Sequence, residues 1–284
     1  MKSQVACFYE TGVPREVISV EDWSLSEVAD NEVLVEMLYA PINPADINIL
    51  QGRYNHQPHL PAIGGSEGVG IVKKVGGRVS EALINRVVIA PRTRGRWCHS
   101  YVSDVSELVF LSNEVPLEQA AMLIVNACTA YQLTREFEEL KHGDYIIQNA
   151  ANSGVGRCVS RLARHRGVKV INIVRRPELV DVLNRDGDEI VLVDGENLSA
   201  EVKHIVGQGT VRLGLNCVGG QSAARVARAL SESSTMVTFG AMAKEPVTIE
   251  NRLLIFSNIT FAGFSMRNWY QRASMDDVRE LVSE

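Results

Sequence analysis

Tyr145-Ile146-Ile147-Gln148-Asn149-Ala150-Ala151-Asn152-Ser153-Gly154-Val155-Gly156 decides how this chain is read. An apolar, strand-like run enters a cluster of small, turn-forming residues, and a helix-like stretch from Val155 to Arg166 follows. This is where a dinucleotide-binding turn belongs. Small side chains let the backbone approach a pyrophosphate, which then sits on the helix N-terminus. The usual three-glycine spacing is reduced here to Ala151-x-Ser153-x-x-Gly156, with Gly154 adding flexibility. Alone, the turn leaves an ordinary tight strand-to-helix connection open.

The surroundings extend the pattern. Apolar runs recur at Lys169–Val174, Glu189–Val193, Leu213–Val218, Thr235–Phe239 and Ile259–Ala262. Helix-like stretches at Glu178–Arg185, Asn197–Val206 and Gln221–Leu230 separate them. Such alternation predicts βαβ units, hence a doubly wound parallel sheet with helices on both faces. Upstream the texture differs. Val33–Leu38, Gly68–Val75 and Arg86–Ala90 read as short strands, interrupted by Pro41, Asn43-Pro44, Gly52, Pro58, Pro61, Gly64-Gly65 and Gly76-Gly77. That predicts a small β-rich domain, a partly open barrel. At the other end, Ser274-Met275-Asp276-Asp277 reads as an N-cap with a capping box ahead of Val278, Leu281 and Val282, and the helix looks cut short at Glu284.

Composition narrows the class. Of 284 residues 45% are hydrophobic, enough for real cores, and the net charge of −5 supplies no basic face for nucleic acid. No stretch of 18 or more apolar residues offers a membrane span. The five cysteines, Cys7, Cys98, Cys128, Cys158 and Cys217, are scattered and odd in number, and Met1-Lys2-Ser3-Gln4 shows no leader pattern. The expectation is free thiols in a reducing cytoplasm.

Two further features bear on cofactors. The strand Lys169–Val174 ends in Arg175-Arg176, where a site for NADH would place an acidic residue on the ribose hydroxyl. Guanidinium groups match a 2′-phosphate instead, which predicts NADPH; the alternative is a solvated basic turn. No set of Cys and His ligands for zinc is present, and His56-x-x-His59 is the nearest approach to a ligand pair.

Several segments resemble the zinc-free medium-chain dehydrogenases/reductases, and within them the mitochondrial-type trans-2-enoyl-thioester (enoyl-CoA) reductases. They include Ala40-Pro41-Ile42-Asn43-Pro44-Ala45-Asp46-Ile47-Asn48, Gln51-Gly52-Arg53-Tyr54, Leu60-Pro61-Ala62-Ile63-Gly64-Gly65-Ser66-Glu67-Gly68-Val69 and Val125-Asn126-Ala127-Cys128-Thr129-Ala130-Tyr131. The turn quoted above, Leu215-Asn216-Cys217-Val218-Gly219-Gly220, Thr235–Lys244 and Leu253-Leu254-Ile255-Phe256 continue the match in order. In zinc-dependent relatives Ser66 would be His and a cysteine would stand near Asn43, so no metal is expected.

The resemblance implies a GroES-like partly open barrel over 1–123, an NADP-binding Rossmann domain over 124–264, and the start of a C-terminal return segment over 265–284. It implies that Tyr54 is the active-site tyrosine, whose hydroxyl gives a hydrogen bond or a proton as hydride reaches the β-carbon of a 2-enoyl thioester, on CoA or a carrier protein. It carries cofactor contacts to Asn126, Asn152, Ser153, Gly154, Val155, Arg175, Arg176, Phe239, Gly240, Ala241, Met242, Phe264, Ser265 and Met266. Three departures stand out: Ser265 replaces a Trp beside the active site, Pro91–Trp97 carries Arg92, Arg94 and Arg96 where the family loop is mostly small and uncharged, and the family chain continues past Glu284. Arg94 or Arg96 would either hold an anionic substrate or lie in a solvated loop. A small enone, quinone or unsaturated acid stays open as substrate, as does a non-catalytic NADPH-binding sensor or interaction protein. A homodimer paired at the Ile259–Ala262 edge is expected, with no nucleic-acid or membrane partner.

Overall fold

The computed structural model describes residues 1–91, 95–187 and 190–284. The chain packs as two units, Met1–Val125 with Arg267–Glu284, and Asn126–Met266.

Among the described residues the first unit holds eight strands: β1 (Lys2–Phe8), β2 (Ile18–Ser24), β3 (Glu32–Tyr39), β4 (Ala62–Ile63), β5 (Val69–Val75), β6 (Val87–Ile89), β7 (Ser100–Asp104) and β8 (Val109–Phe110). They form a sheet ordered β2-β1-β4 and another ordered β7-β3-β5-β6-β8. Every pairing within them is antiparallel. Val33 and Val35 alternate onto one face of β3 and meet Val72 and Val88 in a buried cluster, which is what a period of two produces. The helix Pro44–Leu50 starts where proline fixes its first turn and the Asp46 carboxylate accepts the Asn43 backbone N–H at 2.8 Å. Near the end, Ser274 caps Met275–Ser283: its Oγ accepts the Asp277 N–H at 3.1 Å, and the Asp277 carboxylate accepts the Ser274 N–H at 2.8 Å. Val278 and Leu281 of that helix are buried, as its capping and spacing predict.

Among the described residues the second unit is built on one parallel six-stranded sheet of β9 (Tyr145–Gln148), β10 (Lys169–Val174), β11 (Ile190–Val193), β12 (Val211–Asn216), β13 (Thr235–Thr238) and β14 (Thr260–Gly263). Their order, β11-β10-β9-β12-β13-β14, reverses the direction of winding between β9 and β12. Ligands bind outside the carboxyl ends of strands at such a switch point. Helices cover both faces. Ile146, Leu213, Leu215 and Val237 pack on Val159 and Ala163, while Ile147, Ile171 and Ile173 pack on Leu198, Val202 and Val226. The apolar runs predict these strands with shifts of one or two residues. Glu189 lies outside the described residues. β12 stops before Cys217 and Val218 because their N–H groups turn to side chains, to Asn149 Oδ1 at 2.7 Å and to Asn216 Oδ1 at 3.1 Å.

Candidate functional site

At the end of β9 the chain turns through Asn149–Ser153 into the helix Gly154–His165. Ser153 is the N-cap, and its Oγ accepts the Gly156 N–H at 3.1 Å. A Cβ on Gly156 would fall 2.5 Å from the Ala151 carbonyl oxygen, so the helix rests on the turn where only glycine fits. The first N–H groups of a helix lack partners inside it, and here they follow a turn of small residues at the switch point. Those features fit a dinucleotide pyrophosphate.

Beneath the turn lies a scaffold of buried amides. Asn149 Nδ2 donates to Asn216 Oδ1 at 2.8 Å and to Ser222 Oγ at 3.1 Å. Asn216 Nδ2 donates to Thr238 Oγ1 at 3.1 Å, and its oxygen also accepts the Gly219 N–H at 3.0 Å. Gln148 Nε2 reaches Asn172 Oδ1 at 2.7 Å and the Gly156 carbonyl at 2.9 Å. The ends of β9, β12 and β13 are therefore pinned by neutral side chains, and β10 is tied in through Asn172. Sequence reasoning missed Gln148, Asn149, Asn172 and Asn216 as a group.

The sequence-predicted cofactor residues take the following places. Asn152 is exposed, and Ser153, Gly154 and Val155 are half-buried at the head of the helix. Arg175 and Arg176 follow β10 and are exposed, with Arg176 Nε 3.5 Å from Glu178 Oε1. Phe239–Met242 follows β13: the Phe239 N–H donates to the Asn216 carbonyl and the Met242 N–H to the Cys217 carbonyl, each at 3.0 Å. Ala241 and Met242 are exposed. Burial pushes the neighbouring Cys217 thiol up to about 11. After β14, the Phe264 ring stands edge-on to Phe137 at 6.0 Å, Ser265 is half-buried and Met266 is buried. These segments all follow carboxyl ends of strands in one sheet. Asn126 lies apart from them in sequence, buried in the π-helical turn Leu123–Ala127.

In the first unit, Tyr54 is half-buried against Phe8, Ile49, Leu50 and Ala62, a cluster that Trp97 also covers. The Trp97 indole donates to the Pro41 carbonyl at 3.0 Å and presses on Gly64-Gly65, where added Cβ atoms would fall 2.3 Å and 2.5 Å from the ring. Beyond this pair, Ser66 Oγ donates to Asp46 Oδ1 at 2.5 Å and Asn43 Nδ2 donates to Glu67 Oε1 at 2.8 Å. The places at which the resemblance puts metal ligands in zinc-dependent relatives are thus joined by hydrogen bonds. Among the described residues, no group of three or more His, Cys, Asp or Glu could hold a metal ion.

The basic loop needs a correction. Arg96 does not lie in a solvated loop: it is 4% exposed, and its guanidinium sits 3.9 Å from the centre of the Tyr101 ring. Burial holds the Tyr101 hydroxyl above the ordinary phenol range, with Arg96 opposing that shift. Arg92 and Arg94 are outside the described residues.

Comparison with known proteins adds independent findings. Residues 29–113 match the alcohol dehydrogenase GroES-like domain, and residues 154–284 match the zinc-binding dehydrogenase family. The chain is 43% identical to the mitochondrial enoyl-[acyl-carrier-protein] reductase of Rattus norvegicus over 95% of its own length and 74% of that protein. Its structure matches the mitochondrial 2-enoyl thioester reductase Etr1p/Etr2p heterodimer of Candida tropicalis with a TM-score of 0.90 at 29% identity, covering 100% of this chain and 88% of the other. The Etr1p/NADP/crotonyl-CoA complex matches with a TM-score of 0.90 at 30% identity over 100% of this chain and 86% of the other. A putative NADPH:quinone reductase of Bacillus thuringiensis also gives 0.90, at 26% identity, over 100% of this chain and 86% of that one. The enoyl reductases are named as mitochondrial, which corrects the cytoplasmic expectation. Free thiols fit any reducing compartment and do not separate one from another.

Proposed function

The chain belongs to the medium-chain dehydrogenase/reductase family, and on that premise we propose that it reduces the C=C bond of a 2-enoyl thioester with NADPH. The observation that carries this reading is its 43% identity, over 95% of its length, to an enoyl-[acyl-carrier-protein] reductase. A solved relative of the same fold bears NADP and crotonyl-CoA together.

NADPH, when bound, supplies the hydride that reaches the β-carbon of the double bond. The chain's own residues do the rest. The head of the Gly154–His165 helix, with Asn152, Ser153, Gly154 and Val155, receives the pyrophosphate. Arg175 and Arg176 hold the 2′-phosphate through charge-assisted hydrogen bonds. Asn126, Phe239–Met242 and Phe264–Met266 shape the remainder of the cofactor site. Tyr54 directs its hydroxyl at the thioester oxygen, stabilises the enolate as charge develops there, or delivers the proton that the α-carbon takes up.

The functional assembly is a homodimer. Ile255 and Phe256 are 68% and 78% exposed beside β14, the edge strand of the six-stranded sheet. An exposed edge with apolar neighbours is a surface that a second copy covers. Light scattering of the purified protein at micromolar concentration checks this, and a strict monomer contradicts it. The names of the enoyl reductase relatives point to a mitochondrial location.

A second reading is reduction of a small enone or quinone. Ser265 favours it, standing where the resembling reductases carry a Trp, as does the likeness to a putative quinone reductase. Steady-state NADPH oxidation with crotonyl-CoA and with a quinone, at matched concentrations, separates the two. Turnover confined to the quinone would favour the second.

A further inference from the structure

Glu67 is wholly buried, at 0% exposure, and its carboxylate is spent on two donors from distant segments. Asn43 Nδ2 donates to Oε1 at 2.8 Å, and the Val125 backbone N–H donates to Oε2 at 2.7 Å. Val125 lies in the π-helical turn Leu123–Ala127. A π turn departs from the i to i−4 ladder, and such turns are rare and frequently occur at functional sites. The carbonyl of the same peptide, that of Ile124, accepts the buried Tyr270 hydroxyl at 3.0 Å. One peptide group, Ile124–Val125, is therefore gripped at its oxygen by a tyrosine and at its nitrogen by a carboxylate. The next residue is Asn126.

We propose that Glu67 and Tyr270 are positioning residues that fix the Ile124–Val125 peptide and so set Asn126 for the nicotinamide cofactor. This rests on the assignment of Asn126 as a cofactor contact. A buried carboxylate is a costly way to accept two N–H groups, since an ionised group must be compensated for leaving water. A neutral side chain would serve if the role were only to fill space. The carboxylate is suited to the task because it offers two acceptor atoms in a fixed plane: one is anchored through Asn43 to the start of the Pro44–Leu50 helix, and the other holds the peptide. The orientation of the Val125 N–H is thereby tied to a rigid element rather than to a loop.

The test is an NADPH titration by fluorescence on the full chain and its variants, each first checked for a cooperative thermal transition. Glu67→Ala is expected to weaken NADPH binding by at least about tenfold. Glu67→Gln keeps one oxygen for the Val125 N–H but loses the acceptor for Asn43 Nδ2, and is expected to fall between the parent and Glu67→Ala. Tyr270→Phe keeps the ring and removes only the other grip, and is expected to weaken binding by about three- to tenfold. Under saturating NADPH, kcat with an enoyl thioester should recover substantially in Tyr270→Phe, because the defect lies in cofactor placement. A folded Glu67→Ala with the parent's affinity overturns the proposal, as do equal losses in Ala and Gln. If Glu67→Ala does not fold, Tyr270→Phe decides: unchanged affinity overturns the proposal. Failure of the parent itself to bind NADPH would instead sink the reductase reading, so the two failures are distinguishable.

Discussion

Two regions of the molecule are held together in opposite ways. In the first unit the side chains of Asn43, Asp46, Ser66 and Glu67 are joined by hydrogen bonds in a knot that includes two buried carboxylates. At the ends of β9, β12 and β13 the buried groups are neutral amides and hydroxyls that brace the strands, while Arg175, Ala241 and Met242 beyond them stay exposed. The difference teaches where substitutions should be felt. In the first unit, loss of the Tyr54 hydroxyl should register in turnover, while Glu67, whose carboxylate holds the Val125 N–H, should register in cofactor affinity. A braced rim with exposed charges should register changes in cofactor affinity.

The largest expected effect is therefore on chemistry. Tyr54→Phe removes one hydroxyl and is expected to lower kcat by about 10²–10³, or roughly 2.7–4 kcal/mol, as removal of one oxyanion donor does. NADPH affinity should hardly change, and kcat measured beside a direct NADPH titration checks both. A large loss of NADPH affinity in Tyr54→Phe would mean that this hydroxyl acts through the cofactor rather than on the thioester.

Cys217 sharpens the second region. Its thiol is pushed up to about 11 by burial, so at pH 8.5 it stays protonated. Because the thiolate is the nucleophile, alkylation by iodoacetamide should run on the order of 10² slower than for an exposed thiol. Peptide mapping against time reads the rate, and it should climb as pH rises toward 11. Labelling at the speed of a free thiol would mean that the braced strand ends open readily.

Affinity itself comes next. Arg175→Ala is expected to weaken NADPH binding some 10- to 100-fold, by loss of a charge-assisted hydrogen bond of roughly 1.5–3 kcal/mol, and to leave NADH unchanged. Equal losses for both cofactors would locate the effect in folding. The smallest change should come from Glu178→Gln, which frees Arg176 from an exposed pair at 3.5 Å. Exposed pairs contribute little, so NADPH should bind less than about threefold more tightly, and the gain should vanish at high salt. Titrations at two ionic strengths check it.

How much of this was legible in the sequence depends on whether a feature repeats. The parallel sheet was legible because apolar runs such as Lys169–Val174 and Thr235–Phe239 recur with helical stretches between them. Ser274-x-x-Asp277 announced its helix because a capping box is local. The amide scaffold was not legible: Asn149 and Asn216 are 67 residues apart, and a lone Asn after a strand reads as a turn residue. Its one available signal was polar residues, Gln148, Asn172 and Asn216, inside runs that a parallel sheet otherwise keeps apolar. Arg96 misled in the other direction. A basic loop reads as solvated, and only the fold shows the Tyr101 ring beneath the Arg96 guanidinium. Glu67 was visible as part of a motif, yet its link to Val125 spans 58 residues and leaves no trace in spacing.

The central claim is that hydride is delivered to the β-carbon of an enoyl thioester. It is tested most directly by turning over crotonyl-CoA with NADPH carrying deuterium at the transferred position, then locating the label in the product. The account expects saturated butyryl-CoA with one deuterium on the β-carbon and solvent hydrogen on the α-carbon. Absence of butyryl-CoA from a preparation that oxidises the same NADPH with a quinone, or label found on the α-carbon, would contradict it.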